Sequence, residues 1–530
     1  MSATTNGLAI VEDGSVSFFP LPASLSKPLY TPVFIPSQSF DPESPLASDN
    51  FLLLPGAWLE TLDAFARFGV GASSVAFLPA EAGASSAPAV PLRNASFSVA
   101  PDSPGSATPF LGGLILATDN GVVRITGDIA TFIPFPPDTG RPIGSPVPAN
   151  NPNFNPQFSQ TGSAQGEPTP FGSTLEVAVT NGLVIVDGDE AKLIPVPAEA
   201  GQVICQPVTR LNPSFSFFPS TVPELDVVRL FLPVTLLVTE KGVVEVDESN
   251  VTFTPIPAEA GRVISPAVVR LNPEFNLFFP LSHVGSPRPF LSTLLLTTTN
   301  GMISITDGKV DFLPVPVQAG QVITPPILGL NPRFNPSFDP HRPSGEPLPF
   351  ERDLLLGTTN GVVIISDDTT SFTPLPVGAG MPVGSPIPVA IPGVGTEILI
   401  PVTNGLVRMN GSGSQFLLIP SHAGQVVGAP FINEGGQVLL AVSNGLVHVR
   451  GTVVSFMPLP EESGVVISSP IPDAGQKGGE RFLLATSRGF ASIEGDSITF
   501  LPLPGGAGRN VAPRLMLYRS PVENQLPLAD

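Results

Sequence analysis

The sequence predicts an all-β protein, one domain over residues 1–530 built from ten copies of a four-stranded sheet. Three observations predict it. A turn glycine recurs from end to end, at Gly7, Gly121, Gly182, Gly242, Gly301, Gly361, Gly405, Gly445 and Gly489. Runs of aliphatic and β-branched residues such as LLLGTT and VVIIS flank it, as paired strands require. Prolines stand in fixed columns, a Pro-x-Pro after one strand and a single proline at another. The composition agrees: 66 prolines, 52 glycines and 13% charged residues describe many short elements and turns rather than long solvated helices.

Residues 358–388 show the whole unit: strand, tight turn, strand, acidic turn, strand closed by Pro-x-Pro, glycine loop and fourth strand. The glycine spacings are 114, 61, 60, 59, 60, 44, 40 and 44, and the first gap holds two copies, which makes ten. We name the strands A to D, with the turn glycine between B and C. Seven of the nine turns read Asn-Gly, the others being Lys241-Gly242 and Arg488-Gly489. Asn-Gly tolerates positive φ at both turn centres, so a type I′ hairpin is expected there.

Proline then sorts the strands. B and C are nearly free of it, and the exception, Pro401, is read as a bulge. Strand D ends in pairs such as Pro255–Pro257 and Pro374–Pro376, and strand A carries the column Pro146, Pro207, Pro266, Pro325, Pro386, Pro430, Pro470 and Pro513. A residue without an N–H cannot serve a central ladder, so A and D are the edges of each sheet. Proline there also blocks edge-to-edge pairing.

Ten such sheets make a β-propeller. The B–C signature, as in LLLGTTNGVVII, resembles the propeller repeats of two-component regulator sensors and, more loosely, those of WD-repeat proteins. The resemblance covers nearly the whole chain. It implies an architecture and no functional residue, because the aromatic and Trp-Asp signatures of those families are missing here. Residues 3–22 supply strands B, C and D of one sheet, and residues 510–519 align with strand A. A single closed ring, its first blade completed by the C-terminal strand, is the expectation.

Two departures from the repeat bear on function. Residues 55–71 replace the Asn-Gly turn of the second copy. Trp58, Leu62 and Phe65 share one face at helical spacing, which predicts a short helical insertion carrying the only tryptophan. The A–B connections of copies two to seven are long, and four share a motif: Asn151-Pro-Asn-Phe154, Asn212-Pro-Ser-Phe215, Asn272-Pro-Glu-Phe275 and Asn331-Pro-Arg-Phe334. Phe158, Phe218, Phe279 and Phe338 follow them. These loops emerge on one face, so the rings are candidate contact residues for a protein partner or for self-assembly, and Trp58 is one on the insertion, which otherwise packs on its own blade. Loops packing on one another to lengthen the core is the competing reading.

Chemistry is harder to find. His283, His341, His422 and His448 show no metal-ligand spacing, and one cysteine, Cys205, excludes a multi-cysteine zinc site. The repeated acids, such as Asp187 with Asp189 and Asp367-Asp368, fall in C–D turns, where Asp suits the backbone and EF-hand spacing is absent. Segments assigned to the inner strands, such as ISPAV and VGSPIP, offer no ionisable group to a channel. No cofactor and no metal are therefore expected.

A formal charge of −20 disfavours nucleic acid and anionic membranes. The start, MSATTNGLAIVEDG, lacks the basic and apolar regions of a signal peptide. The longest apolar run, residues 227–238, contains Arg229 and Pro233 and is shorter than the roughly 18 residues a membrane helix needs. The expectation is a soluble, non-enzymatic structural or adaptor propeller, with a composition that suits a virion, appendage or cell-surface assembly. The alternative is a lyase or hydrolase with a metal-assisted site in the channel.

Overall fold

A computed structural model describes residues 1–12, 14–34, 57–69, 72–99, 109–156, 166–216, 229–248, 250–276, 278–279, 284–335, 338, 345–366, 369–391, 395–410, 413–433, 436–472 and 481–513. The architecture is a β-propeller of ten four-stranded antiparallel blades, each ordered D-C-B-A. Blades two to ten span residues 33–77, 90–134, 147–195, 208–255, 268–314, 327–374, 387–418, 431–458 and 471–502. Blade one joins Ser2–Thr4, Gly7–Glu12 and Ser15–Pro20 to the C-terminal strand Asn510–Pro513. Among the described residues no helix is long and apolar enough to cross a membrane.

Contacts divide the chain into two compact units. One holds Met1–Asn94, Ser106–Pro134 and Ile419–Asp530, hence blades one, two, three, nine and ten. In it, Ala3 of strand B pairs with Ala512 of strand A, and the Thr5 amide donates to the Arg509 carbonyl at 2.8 Å. Asn510, 7% exposed, donates from Nδ2 to the carbonyls of Thr486 (2.8 Å) and Gly489 (2.9 Å), fastening blade one to blade ten.

The other unit holds Ala95–Gly105 and Phe135–Leu418, hence blades four to eight. Strands B and C here are buried on both faces. Leu354, Leu355 and Leu356 of blade seven are 0–3% exposed in succession. Leu355 packs on Ile398, Ile400 and Val407 of blade eight, while Leu354 and Leu356 pack on Leu295 and Met302 of blade six. Neighbouring blades cover both faces, so these strands read as continuous apolar runs rather than an alternation. Each such aliphatic side chain contributes about 1.5–3 kcal/mol through burial.

The edges fall where proline placed them. Strand D ends on the first proline of its pair, as in Asn250–Pro255 and Thr369–Pro374, and that proline pairs with the turn glycine (Gly242↔Pro255). The bulge expected at Pro401 is absent: the residue keeps register opposite Leu406.

The turn glycines are required for a reason other than the expected type I′ turn. The loop between B and C is the pair before the glycine, since Thr118 pairs with Gly121, and neither Asp119, Asn120 nor Gly121 has positive φ. Left-handed residues sit instead in the C–D turns, as at Asp307 (φ 51°) and Gly308 (φ 78°). Gly242 is glycine because a methyl there would strike the Thr254 carbonyl oxygen and the Phe253 ring of strand D. The asparagine ties one blade to the chain that enters it. Nδ2 of Asn120, Asn181, Asn300, Asn360 and Asn444 reaches 2.7–2.9 Å to a carbonyl of the D–A link entering its blade.

The helix expected over residues 55–71 does not form in the described residues 57–69. Ala57–Glu60 and Ala64–Gly69 are strands B and C of blade two, paired Trp58↔Arg67 and Glu60↔Phe65. Thr61-Leu62-Asp63-Ala64 replaces the usual Thr-x-Asn-Gly, and the Thr61 hydroxyl donates to the Ala64 carbonyl as Thr118 does to Gly121. Val75 stands opposite Ala66 where blade three has Phe132 opposite Val123. The helical spacing was a coincidence: Trp58 and Phe65 are buried in two paired strands, and Leu62 is exposed in the turn between them.

Candidate functional site

The long A–B loops of blades three to seven are built alike. Asn212 shows the pattern: its Oδ1 accepts from the Ser214 amide (3.0 Å), its carbonyl from the Phe215 amide (3.0 Å), and its Nδ2 donates across the loop to the Arg229 carbonyl (2.8 Å). Asn151, Asn272 and Asn331 do the same with their own loops. Asparagine forms this turn because its short side chain mimics a backbone carbonyl two residues on. A further copy lacking the proline, Asn94-Ala-Ser-Phe97, closes its loop through the Asn94 amide to the Pro109 carbonyl (3.0 Å).

The turn drives its phenylalanine inward. Phe154, Phe215 and Phe275 are 7%, 1% and 8% exposed. Phe97 stacks on Phe171, Phe154 on Phe231 and Phe215 on Phe290, with centroids 6.0–6.3 Å apart, and each second ring opens strand B of the next blade. Phe278 packs on Phe338 at 6.0 Å. Backbone bonds join loop to loop, Val99 to Pro168 (3.0 Å) and Leu230 to Phe154 (3.2 Å).

The candidate contact residues are thus placed as follows. Phe154, Phe215 and Phe275 are buried supports of the loop layer, and Phe334, Phe279 and Phe338 are half-buried. Phe158 and Phe218 lie outside the described residues. Trp58 is 1% exposed inside blade two, with the Arg67 guanidinium 5.6 Å from its ring centroid. Apolar rings beside a buried strand end gain more from each other than from water, so packing claims them and none of the buried ones can meet a partner.

What the layer presents outward is polar, with scattered aliphatics. Arg352 pairs with Glu274 of the neighbouring blade (2.7 Å), and Arg333 pairs with Glu346 (3.2 Å). The Asn331 amide and Arg333 hold the Glu346 carboxyl below its ordinary range. Glu351 is raised by burial and by the charges of Asp353 and Glu346. Among the aliphatics of these loops, Val99 and Val284 are 40% and 55% exposed.

A group that sequence reasoning missed lies in blade two. Glu60 is 1% exposed; Oε2 accepts from the Ala89 amide at 3.1 Å, and Oε1 has no hydrogen-bond partner. Burial pushes its pKa up to about 7, and hydrogen bonds from Ser85 and Ala89 oppose the rise only in part. Tyr30 is raised by its own burial and by the nearby Glu60 charge. The signal was in the repeat: Glu60 occupies the position of Ala117 and Ala178, one residue before the end of the B-strand turn, where a small residue is usual.

Among the described residues no three His, Cys, Asp or Glu side chains gather where they could hold a metal ion. His422 is exposed with its ring edge-on to Phe456 (5.2 Å), and His448 is buried with Nδ1 3.0 Å from the Gln437 amide. His283 and His341 lie outside the described residues.

No family model matches the chain, and no curated protein matches its sequence. Among solved structures it is similar to virginiamycin B lyase from Staphylococcus aureus, at 14% identity over 52% of this chain and 82% of that one, TM-score 0.26. It is also similar to BBS1N in complex with ARL6DN, at 13% identity over 51% and 77%, TM-score 0.28. A third is the extracellular domain of a putative hybrid two component system from B. thetaiotaomicron, at 9% identity over 95% and 72%, TM-score 0.22. The chain's own sheet order makes it a β-propeller repeat protein.

Proposed function

We propose that the protein is a non-enzymatic adaptor or structural propeller that binds other proteins through its long-loop face, as a subunit of a virion, appendage or cell-surface assembly. The observation that carries this reading is the loop layer itself. Four consecutive loops repeat one Asn-centred turn, and three stacked pairs of aromatic rings sit between blades three to six. Blade eight joins A to B within residues 391–395, so a blade does not need such a loop to fold. A surface fixed in advance binds with little ordering cost, which is what a docking platform gains from buried supports. Contact then falls to Val99, Val284, Glu274, Arg352, Arg333 and Glu346 rather than to the rings.

Carboxyl-to-amine cross-linking in the native source, followed by peptide mapping, tests this. Cross-links from Glu167, Glu274 and Glu346 to other proteins are the expected result. Cross-links confined to Glu199 and Glu259, at the opposite ends of the same blades, would count against it.

A further inference from the structure

The D–A links entering blades seven and eight differ from their neighbours. Val317 and Val377 hold the position after Pro-x-Pro and are 93% and 103% exposed. Ile323, Met381 and Val383 add 43%, 68% and 37% exposure on the same two links. Elsewhere in this unit the corresponding positions read Pro137-Asp138, Ala198-Glu199 and Ala258-Glu259. Residues 312–332 and 369–396 contain no charged side chain, in a chain of net charge −20.

The two links belong to one surface. Asn360 Nδ2 donates to the Gln318 carbonyl and Asn404 Nδ2 to the Gly378 carbonyl, each at 2.9 Å, so both links lie at the B–C ends of adjacent blades. Thr324 of the first link and Pro386 of the second both pack against Gly357. The turns beside them, Thr359-Asn360 and Thr403-Asn404, are also uncharged. These ends are opposite the long loops, so the surface stands apart from the loop-face reading.

We propose that this uncharged, apolar surface is where a second copy of the chain docks. The charge decides the occupant. Two copies of net charge −20 repel, and repulsion between exposed charges acts over about 8 Å at physiological salt. They approach at least cost where neither carries charge. A basic partner would gain more at the links bearing Glu199 and Glu259. A two-fold axis would set Val317 of each copy against Val377 of the other, a self-complementary arrangement.

Sedimentation of the full chain over a concentration range, at low and high salt, tests the proposal. The expected result is a monomer–dimer equilibrium that tightens as salt screens the repulsion. Val317→Glu with Val377→Glu should weaken it by more than about tenfold. Both side chains are fully in solvent, so circular dichroism should be unchanged. Val453→Glu, at an exposed valine of blade nine (66%), should leave the dimer intact. A chain that stays monomeric throughout, a dimer that survives the double substitution, or one equally disrupted by Val453→Glu would overturn the proposal.

Discussion

Replacing Glu60 by glutamine should stabilise the protein at alkaline pH and do little in acid. The folded carboxyl titrates at about 7 against an ordinary 4.5, because it is buried with one oxygen unpartnered. Below about pH 4.5 the folded and unfolded chains are both protonated and burial carries no charge penalty. As pH rises towards 7 the unfolded chain releases the proton while the folded chain holds it, so stability falls; above 7 the whole penalty is present. The gap corresponds to about 3 kcal/mol, at about 1.4 kcal/mol per tenfold. Glutamine cannot ionise, and its carbonyl can still accept from Ala89. Trp58 is the chain's one tryptophan, buried two residues away on the same strand, and its fluorescence reports unfolding of this blade. Urea titrations should show the variant and parent converging near pH 4.5 and separating by about 3 kcal/mol at pH 8. Curves that stay parallel across that range would refute the reasoning.

Phe215→Ala removes a ring that is 1% exposed and stacked on Phe290, and should cost about 3–5 kcal/mol of stability, read as a lowered urea midpoint. If that ring served only as a partner contact, the midpoint would not move. Asn510→Ala deletes two buried hydrogen bonds between blades one and ten and should cost about 1–3 kcal/mol, seen as faster amide exchange in Ser2–Thr4. Gly242→Ala should destabilise markedly in a thermal melt, because the methyl meets the Thr254 carbonyl and the Phe253 ring. Ala64→Gly at the matching turn of blade two should change stability by under about 1 kcal/mol.

The blades were legible because proline and glycine act through the backbone. Pro255 and Pro374 marked edge strands for a reason that holds wherever the strand sits, and the structure keeps them there. The turn glycines marked the right positions for the wrong reason. Their constraint is a backbone carbonyl of the neighbouring strand, joined at most of these turns by a phenylalanine ring, and a single turn does not reveal what approaches it. The side chains of the candidate site were less legible. The spacing of Trp58, Leu62 and Phe65 fits a helix as well as two strands joined by a turn that carries Leu62, and only the repeat alignment of Thr61 with Thr118 separates the two. Phe154, Phe215 and Phe275 were placed in the right loops. Whether a loop ring turns in or out depends on the ring of the next blade, which no local pattern records.

All that is built on the blades depends on the two ends of the chain completing one sheet. Strands Ser2–Thr4 and Asn510–Pro513 set Ala3 opposite Ala512. Cross-strand partners lie about 4.5–5.5 Å apart at Cα, within disulfide reach. In a Cys205→Ser background, which leaves no native thiol, Ala3→Cys with Ala512→Cys should oxidise readily to one intramolecular disulfide. The product should run faster on a non-reducing gel and melt no lower than its parent. Thiols that stay free under mild oxidation, in a chain whose circular dichroism shows it folded, would contradict the architecture.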